Sequence, residues 1–162
     1  MERSRIKIIP DRFDYIIEIL SIIGLIGLII IPIIYYGKLP EIMPKHFDLH
    51  GNPDSYGNKG MVWFLPIIGI VTYIGLSILC KYPHKFNYPT QVTEKNAERI
   101  YKKGIIIIRI VKLSVILLFN FLNIKMIEIG LHQADKLSVW FLPIFLIVFI
   151  SMIIFSIIWL RR

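Results

Sequence analysis

Apolar side chains fall along this chain in four long runs, at residues 15–36, 61–80, 104–124 and 137–160, with polar connections between them. An α-helix rises about 1.5 Å per residue, so roughly 20 apolar residues cross the ~30 Å of bilayer hydrocarbon, and each run reaches that length. The runs are too long for buried strands, and the alternating ten-residue segments of a closed barrel are absent. The pattern predicts an all-α fold, one integral membrane four-helix bundle forming a single domain over residues 1–162. The third helix is predicted to start early, because Thr93 is placed to cap a helix whose first turn holds Glu94. Running over 94–124, it would be about 46 Å long and project beyond the bilayer.

Finer patterning bears on how the helices meet. Gly24 and Gly27 in the first run, and Gly69, Gly75 and Ser77 in the second, are small enough to let backbones approach closely. The hexapeptide Val-Trp-Phe-Leu-Pro-Ile occurs at 62–67 and again at 139–144, opening the second and fourth runs. It suggests two hairpins related by an axis along the membrane normal, against the plainer reading of an ordinary step from aromatic belt to apolar core. Tyr35, Tyr36, Trp63, Trp140 and Trp159 sit at run ends, where amphipathic rings prefer the headgroup level.

Charge gives the orientation. Twelve Lys and Arg lie on one side: Arg3, Arg5, Lys7 and Arg12 in the amino-terminal arm, Lys81, Lys85, Lys95, Arg99, Lys102 and Lys103 in the middle connection, and Arg161 and Arg162 at the end. Four (Lys38, Lys45, Lys59 and Lys136) lie on the other. The excess predicts both termini in the cytoplasm and the 37–59 connection as an ordered extracytoplasmic cap. Because the cations flank apolar runs rather than form a soluble basic face, nucleic acid is not an expected partner; the lipid bilayer is. With 56% hydrophobic residues, a soluble domain of this size is excluded as the expectation. The single cysteine, Cys80, forms no intrachain disulfide and reads as an inert membrane thiol. The first run lacks a small-residue cleavage site and reads as a retained anchor.

The 37–59 connection is the most distinctive stretch. Pro40, Pro44 and Pro53 restrict it, Gly51 and Gly57 allow the positive φ of tight turns, and Asp54 with the adjoining Ser55-Tyr56-Gly57 suits a turn. Lys59 is placed to anchor the second helix at the headgroups, and His46 to hydrogen-bond loop backbone and hold the cap together. A metal site there would draw on His46, His50, Asp48 and Asp54. The order Leu39-Pro40, Met43-Pro44, His46-Phe47, Gly51, Pro53-Asp54, Tyr56-Gly57 and Lys59 resembles the family catalogued as domain of unknown function 1648. Phe86-Asn87-Tyr88-Pro89 with Thr93 and Asn96 resembles the stretch on the carboxyl-terminal side of this domain in many relatives. The resemblance extends to SdpI-type immunity proteins of bacteria. It implies a plasma-membrane protein that protects its producer from a secreted toxic peptide or reports it to a cytoplasmic repressor. SdpI-type proteins carry an additional membrane module after this domain, whereas four spans fit here.

Within the runs, Arg109 and Lys112 share one face of the third helix, and each costs on the order of 2.5–3.5 kcal/mol at mid-span. Glu18 lies at matching depth on the first helix. The three either pair, snorkel toward the cytoplasmic interface, or line a transport path. Asn120 and Asn123 are placed to hydrogen-bond across helices or to the cap.

Two functional classes emerge, and a third is weaker. A binding, immunity or sensing protein would use the cap to recognise an extracellular peptide. A small transporter or accessory subunit, as a homo-oligomer, would use Glu18, Arg109 and Lys112. A metal-dependent membrane enzyme would need His46, His50 and Asp54 to converge. No nucleophile elbow, phosphate loop or dinucleotide fingerprint is present, so neither enzyme activity nor a cofactor is expected.

Overall fold

The computed structural model describes residues 3–161; Arg162, one of the predicted inner-side cations, lies outside them. Four helices, α1 (Arg12–Tyr35), α2 (Phe64–Leu79), α3 (Ala97–Gly130) and α4 (Phe141–Arg161), are joined by a hairpin of β1 (Ile42–Phe47) and β2 (Pro53–Asn58) and by short turns. All four are long and apolar enough, with their flanking turns, to cross a membrane. The all-α expectation needs one correction, since the cap contains a two-stranded antiparallel sheet.

α1 starts where the sequence supplies a reciprocal cap: the Asp14 N–H donates to the Asp11 carboxylate at 3.1 Å and the Asp11 N–H returns a bond to Asp14 at 2.8 Å. α3 begins at Ala97, not Glu94. Asn96 folds back to accept from the Thr93 N–H at 2.7 Å, and that turn occupies the residues a longer helix would use. At its other end α3 passes residue 124 to Gly130, because Met126 and Ile127 find apolar cover beneath the cap with Leu39 and Met43. At about 51 Å for 34 residues it is longer than the ~30 Å of bilayer hydrocarbon. α4 starts at Phe141 rather than 137, since Leu137 is tied to the cap and Ser138 to the turn that opens the helix.

α1, α2 and α3 form the packed core. Leu28 and Ile116 are fully buried there, and Gly69 gives the close approach expected of it, since a Cβ would sit 2.5 Å from a Leu28 methyl. Gly24 does the same beside Ile116, whereas Gly75 faces open space. Asn120 and Asn123 bond across elements as expected, to the Gly24 and Val62 carbonyls at 2.9 Å each. α4 is different. None of its described residues is buried, and it lies along α3 through a stack of Phe121, Phe141, Phe145 and Phe149. Both copies of the hexapeptide start a helix at their Phe, yet Pro66 is buried in the core and α4 has no equivalent surroundings. Local chemistry is repeated; the packing of two equal hairpins is not.

The amino-terminal arm and the end of α4 meet at one end of the bundle, where Ile6, Ile8 and Leu160 pack around Tyr88, Ala97, Ile100 and Tyr101. The hairpin closes the other end.

Candidate functional site

The cap is built from the turn outward. Asp48 accepts from the N–H groups of His50 and Asn52 at 2.8 Å each and from the Asn52 amide at 3.1 Å. Those bonds, led by the Asn52 side chain, hold the Asp48 carboxyl below its ordinary range. Gly51 takes φ +82°, and its carbonyl accepts from the Leu137 N–H at 2.9 Å. A Cβ at Gly51 would lie 2.2 Å from the Leu137 carbonyl oxygen, so only glycine lets this turn reach the α3–α4 connection. Gly57, expected to serve as a second positive-φ turn residue, is instead extended in β2 under the Lys45 side chain. The Asp54–Gly57 segment is likewise strand, not turn, because the reversal is completed by residues 48–52.

One side of the hairpin is a plug. Met43, fully buried, packs with Leu39, Val62, Met126 and Ile127, its sulfur 2.3 Å from where a Gly130 Cβ would stand. Pro44, on the opposite face by register, is also buried, 3.9 Å from where a Gly130 Cβ would stand, while Pro40 is exposed. Lys59 anchors the start of α2 through Glu41 at 2.8 Å, with its ammonium 5.3 Å above the Tyr36 ring. Phe47 is half-buried and lines a small cavity with Lys45, Met61 and Phe64.

Away from Pro44 the other side is open. Ile42 and Tyr56, on one face by register, are 67% and 56% exposed, and Leu49 at the turn is 76% exposed. His46 Nδ1 lies 2.6 Å from an Asp54 oxygen, with the His46 side chain 70% exposed. The backbone bond expected of His46 is thus replaced by a carboxylate partner. The pair is too exposed to hold the cap by itself. His50 is exposed, its ring 3.9 Å from Asp48. Among the described residues no three His, Cys, Asp or Glu side chains converge on a point where a metal would bind.

The charges inside the bundle form a ladder between α1 and α3, which run in the same direction. Asp11 pairs with Lys102 at 2.9 Å, Asp14 with Arg109, and Glu18 with Lys112 at 2.8 Å. Lys112 is 1% exposed; it donates to both Glu18 oxygens and to Ser77 Oγ at 2.9 Å, and sits 4.3 Å from the Tyr73 ring centre. Tyr73 in turn donates to Glu18. One ammonium therefore joins α1, α2 and α3. At the solvated foot of the ladder, the Lys102 ammonium holds the Asp11 carboxyl below its ordinary range. Of the three readings open for Glu18 the geometry is that of pairing, with Lys112 as the partner, and Arg109 takes Asp14 instead. Asp14 escapes a reading by runs because it falls one residue outside the first of them. Its signal is nonetheless present: acids at 11, 14 and 18 recur at helical spacing opposite the cations of α3.

Four helices able to span a bilayer, neutralised internal charges and a seated hairpin define a multi-pass membrane protein. A family model, domain of unknown function (DUF1648), matches residues 23–70, the carboxyl-terminal half of α1, the whole hairpin and the opening of α2. The resemblance read in the 37–59 connection therefore holds. An uncharacterized protein of Archaeoglobus fulgidus is 32% identical over 78 residues, 43% of this chain and 43% of that protein. The match thus spans under half the relative's length. No solved structure matches the chain.

Proposed function

We propose that the chain is a cell-membrane receptor or immunity-type protein whose hairpin, held outside the cytoplasm, recognises an extracellular peptide. The observation that supports this reading best is the two-sided hairpin: Met43, Pro44 and Gly51 fix it to the bundle, while Ile42, Leu49 and Tyr56 are exposed on an ordered frame. Exposed apolar and aromatic side chains on a preorganised scaffold are what a peptide-binding surface requires, since little ordering entropy is lost on contact. The matched family segment, 23–70, coincides with this hairpin and leaves out Arg109 and Lys112. The paired ladder weighs against transport, because a translocation path needs charges that meet a substrate rather than one another. A photo-crosslinking side chain at position 56, activated in intact native cells, is expected to yield a discrete peptide adduct that Ile42→Asp abolishes. Absence of any adduct from positions 42, 49 and 56 contradicts the reading.

A further inference from the structure

At the end of the bundle opposite the hairpin, two chain segments far apart in sequence bring cations together. Arg5 and Lys7 of the amino-terminal arm, with Lys81, His84 and Lys85 just beyond α2, line a groove of about 380 Å³ flanked by Ile6 and Tyr82. Among the described residues no carboxylate lines it. The Lys7, Lys81 and Lys85 side chains are exposed, and the Lys85 ammonium lies 5.4 Å from the Tyr82 ring centre.

Backbone-directed hydrogen bonds and apolar packing hold the arm in place. Arg3 donates to the Phe86 carbonyl, Tyr101 donates to the Ser4 carbonyl at 3.2 Å, and Ile6 and Ile8 pack on the Tyr88–Tyr101 cluster. Burial there also pushes the Tyr88 hydroxyl well above its ordinary range, consistent with a dry, packed seat for the arm. Apolar packing thus sets Lys7 around one cavity with Lys81 and Lys85, like charges whose repulsion an anion between them would offset. A count of cations suffices to orient helices; it does not require that they converge. The groove begins within two residues of the end of α2, at the level where a bilayer presents its headgroups, and Ile6 and Tyr82 provide the amphipathic edge suited to that depth.

We propose that this groove binds a phosphate-bearing anion, either the headgroup of an acidic phospholipid or a free phosphate ester. Lys81 and Lys85 contact the phosphate oxygens from α2's side, and Lys7 closes over them from the arm. The site would fasten the arm to the membrane surface at the inner end of the charge ladder.

The test uses the full chain in nanodiscs of phosphatidylcholine, of phosphatidylcholine with phosphatidylglycerol, and of phosphatidylcholine with inorganic phosphate added. Melting temperature and lipids retained in native mass spectrometry are read for wild type, Lys81→Gln/Lys85→Gln, Lys81→Arg/Lys85→Arg, and the charge-matched control Lys38→Gln/Lys136→Gln at the other end. Phosphatidylglycerol is expected to stabilise wild type, the Arg variant and the control. Affinity should fall about fivefold for each of the two lysines removed. Stabilisation by inorganic phosphate with the same dependence on Lys81 and Lys85 assigns the groove to a free phosphate ester; its absence assigns it to lipid. No stabilisation by either probe, or equal loss in the Gln variant and the control, overturns the proposal.

Discussion

At Lys112 an ammonium with 1% exposure meets both oxygens of Glu18, a serine hydroxyl and an aromatic face. Breaking such a pair from one side leaves a charge without its partner, which costs about 3–5 kcal/mol, whereas removing both charges costs less than the sum. Glu18→Gln and Lys112→Gln should each lower thermal stability in detergent, and the double variant should recover about 0.5–3 kcal/mol through non-additivity. Asp14→Asn and Arg109→Gln should couple in the same way. Glu18→Gln with Arg109→Gln should couple less, because those residues belong to different rungs. Denaturation of these single and double variants checks this, and uniform additivity contradicts the ladder. His46 lies at the opposite extreme. Its exposed pair with Asp54 is worth at most about 1 kcal/mol, so His46→Ala should leave protease access around residues 45–58 nearly unchanged.

The hairpin depends on one backbone conformation and one buried knob. Gly51→Ala places a Cβ at φ +82° and against the Leu137 carbonyl, a combination expected to cost about 1–3 kcal/mol or more and to free the turn from the α3–α4 connection. Limited proteolysis at 48–53 should rise sharply in this variant, while cleavage at the opposite end of the bundle stays as in wild type. The turn also has a pH dependence. Asp48 is held below its ordinary value of 3.8 by bonds that favour the charged form, so its contribution is complete above that value and is lost as pH falls through the lower folded pKa. Protection of the His50 and Asn52 amides, measured against their intrinsic exchange rate at each pH, should therefore be constant until below pH 3.8.

The existence of the helices is legible in the sequence because apolar length alone marks four spans. Their boundaries are set partly by a local turn that competes with the helix, as Asn96 bonding to the Thr93 N–H defers α3 to 97, and partly by remote contacts that no local pattern carries, as Leu137 bonding to Gly51 defers α4 to 141. The strands are hidden because Pro44, Pro53 and Gly57 read as loop chemistry, yet a two-stranded hairpin uses few ladder bonds and tolerates them. Lys112 is legible as an anomaly of depth; Asp14 is not, since it lies at the edge of a run, and its role depends on which way α1 and α3 face each other.

For the molecule as a whole, the three-helix core and the apposed α4 present almost continuous apolar surface, from Ile16, Ile19 and Ile23 on α1 to Ile147, Ile154 and Phe155 on α4. That surface suits lipid, with exposed polar chemistry gathered at the two ends. The ends differ in design: one is a hairpin plugged by Met43, the other a basic surface around a pinned arm. A peptide-recognising cap is meaningful only if the hairpin faces outward, and the charge asymmetry predicts that it does. Labelling intact cells with an impermeant thiol reagent tests this directly, using Leu49→Cys and Lys95→Cys separately in a Cys80→Ser background. The account predicts modification of the Leu49→Cys protein alone, with the Lys95→Cys protein labelled only after permeabilisation. Labelling of the Lys95→Cys protein in intact cells, with the Leu49→Cys protein protected, would place the hairpin in the cytoplasm and contradict the account.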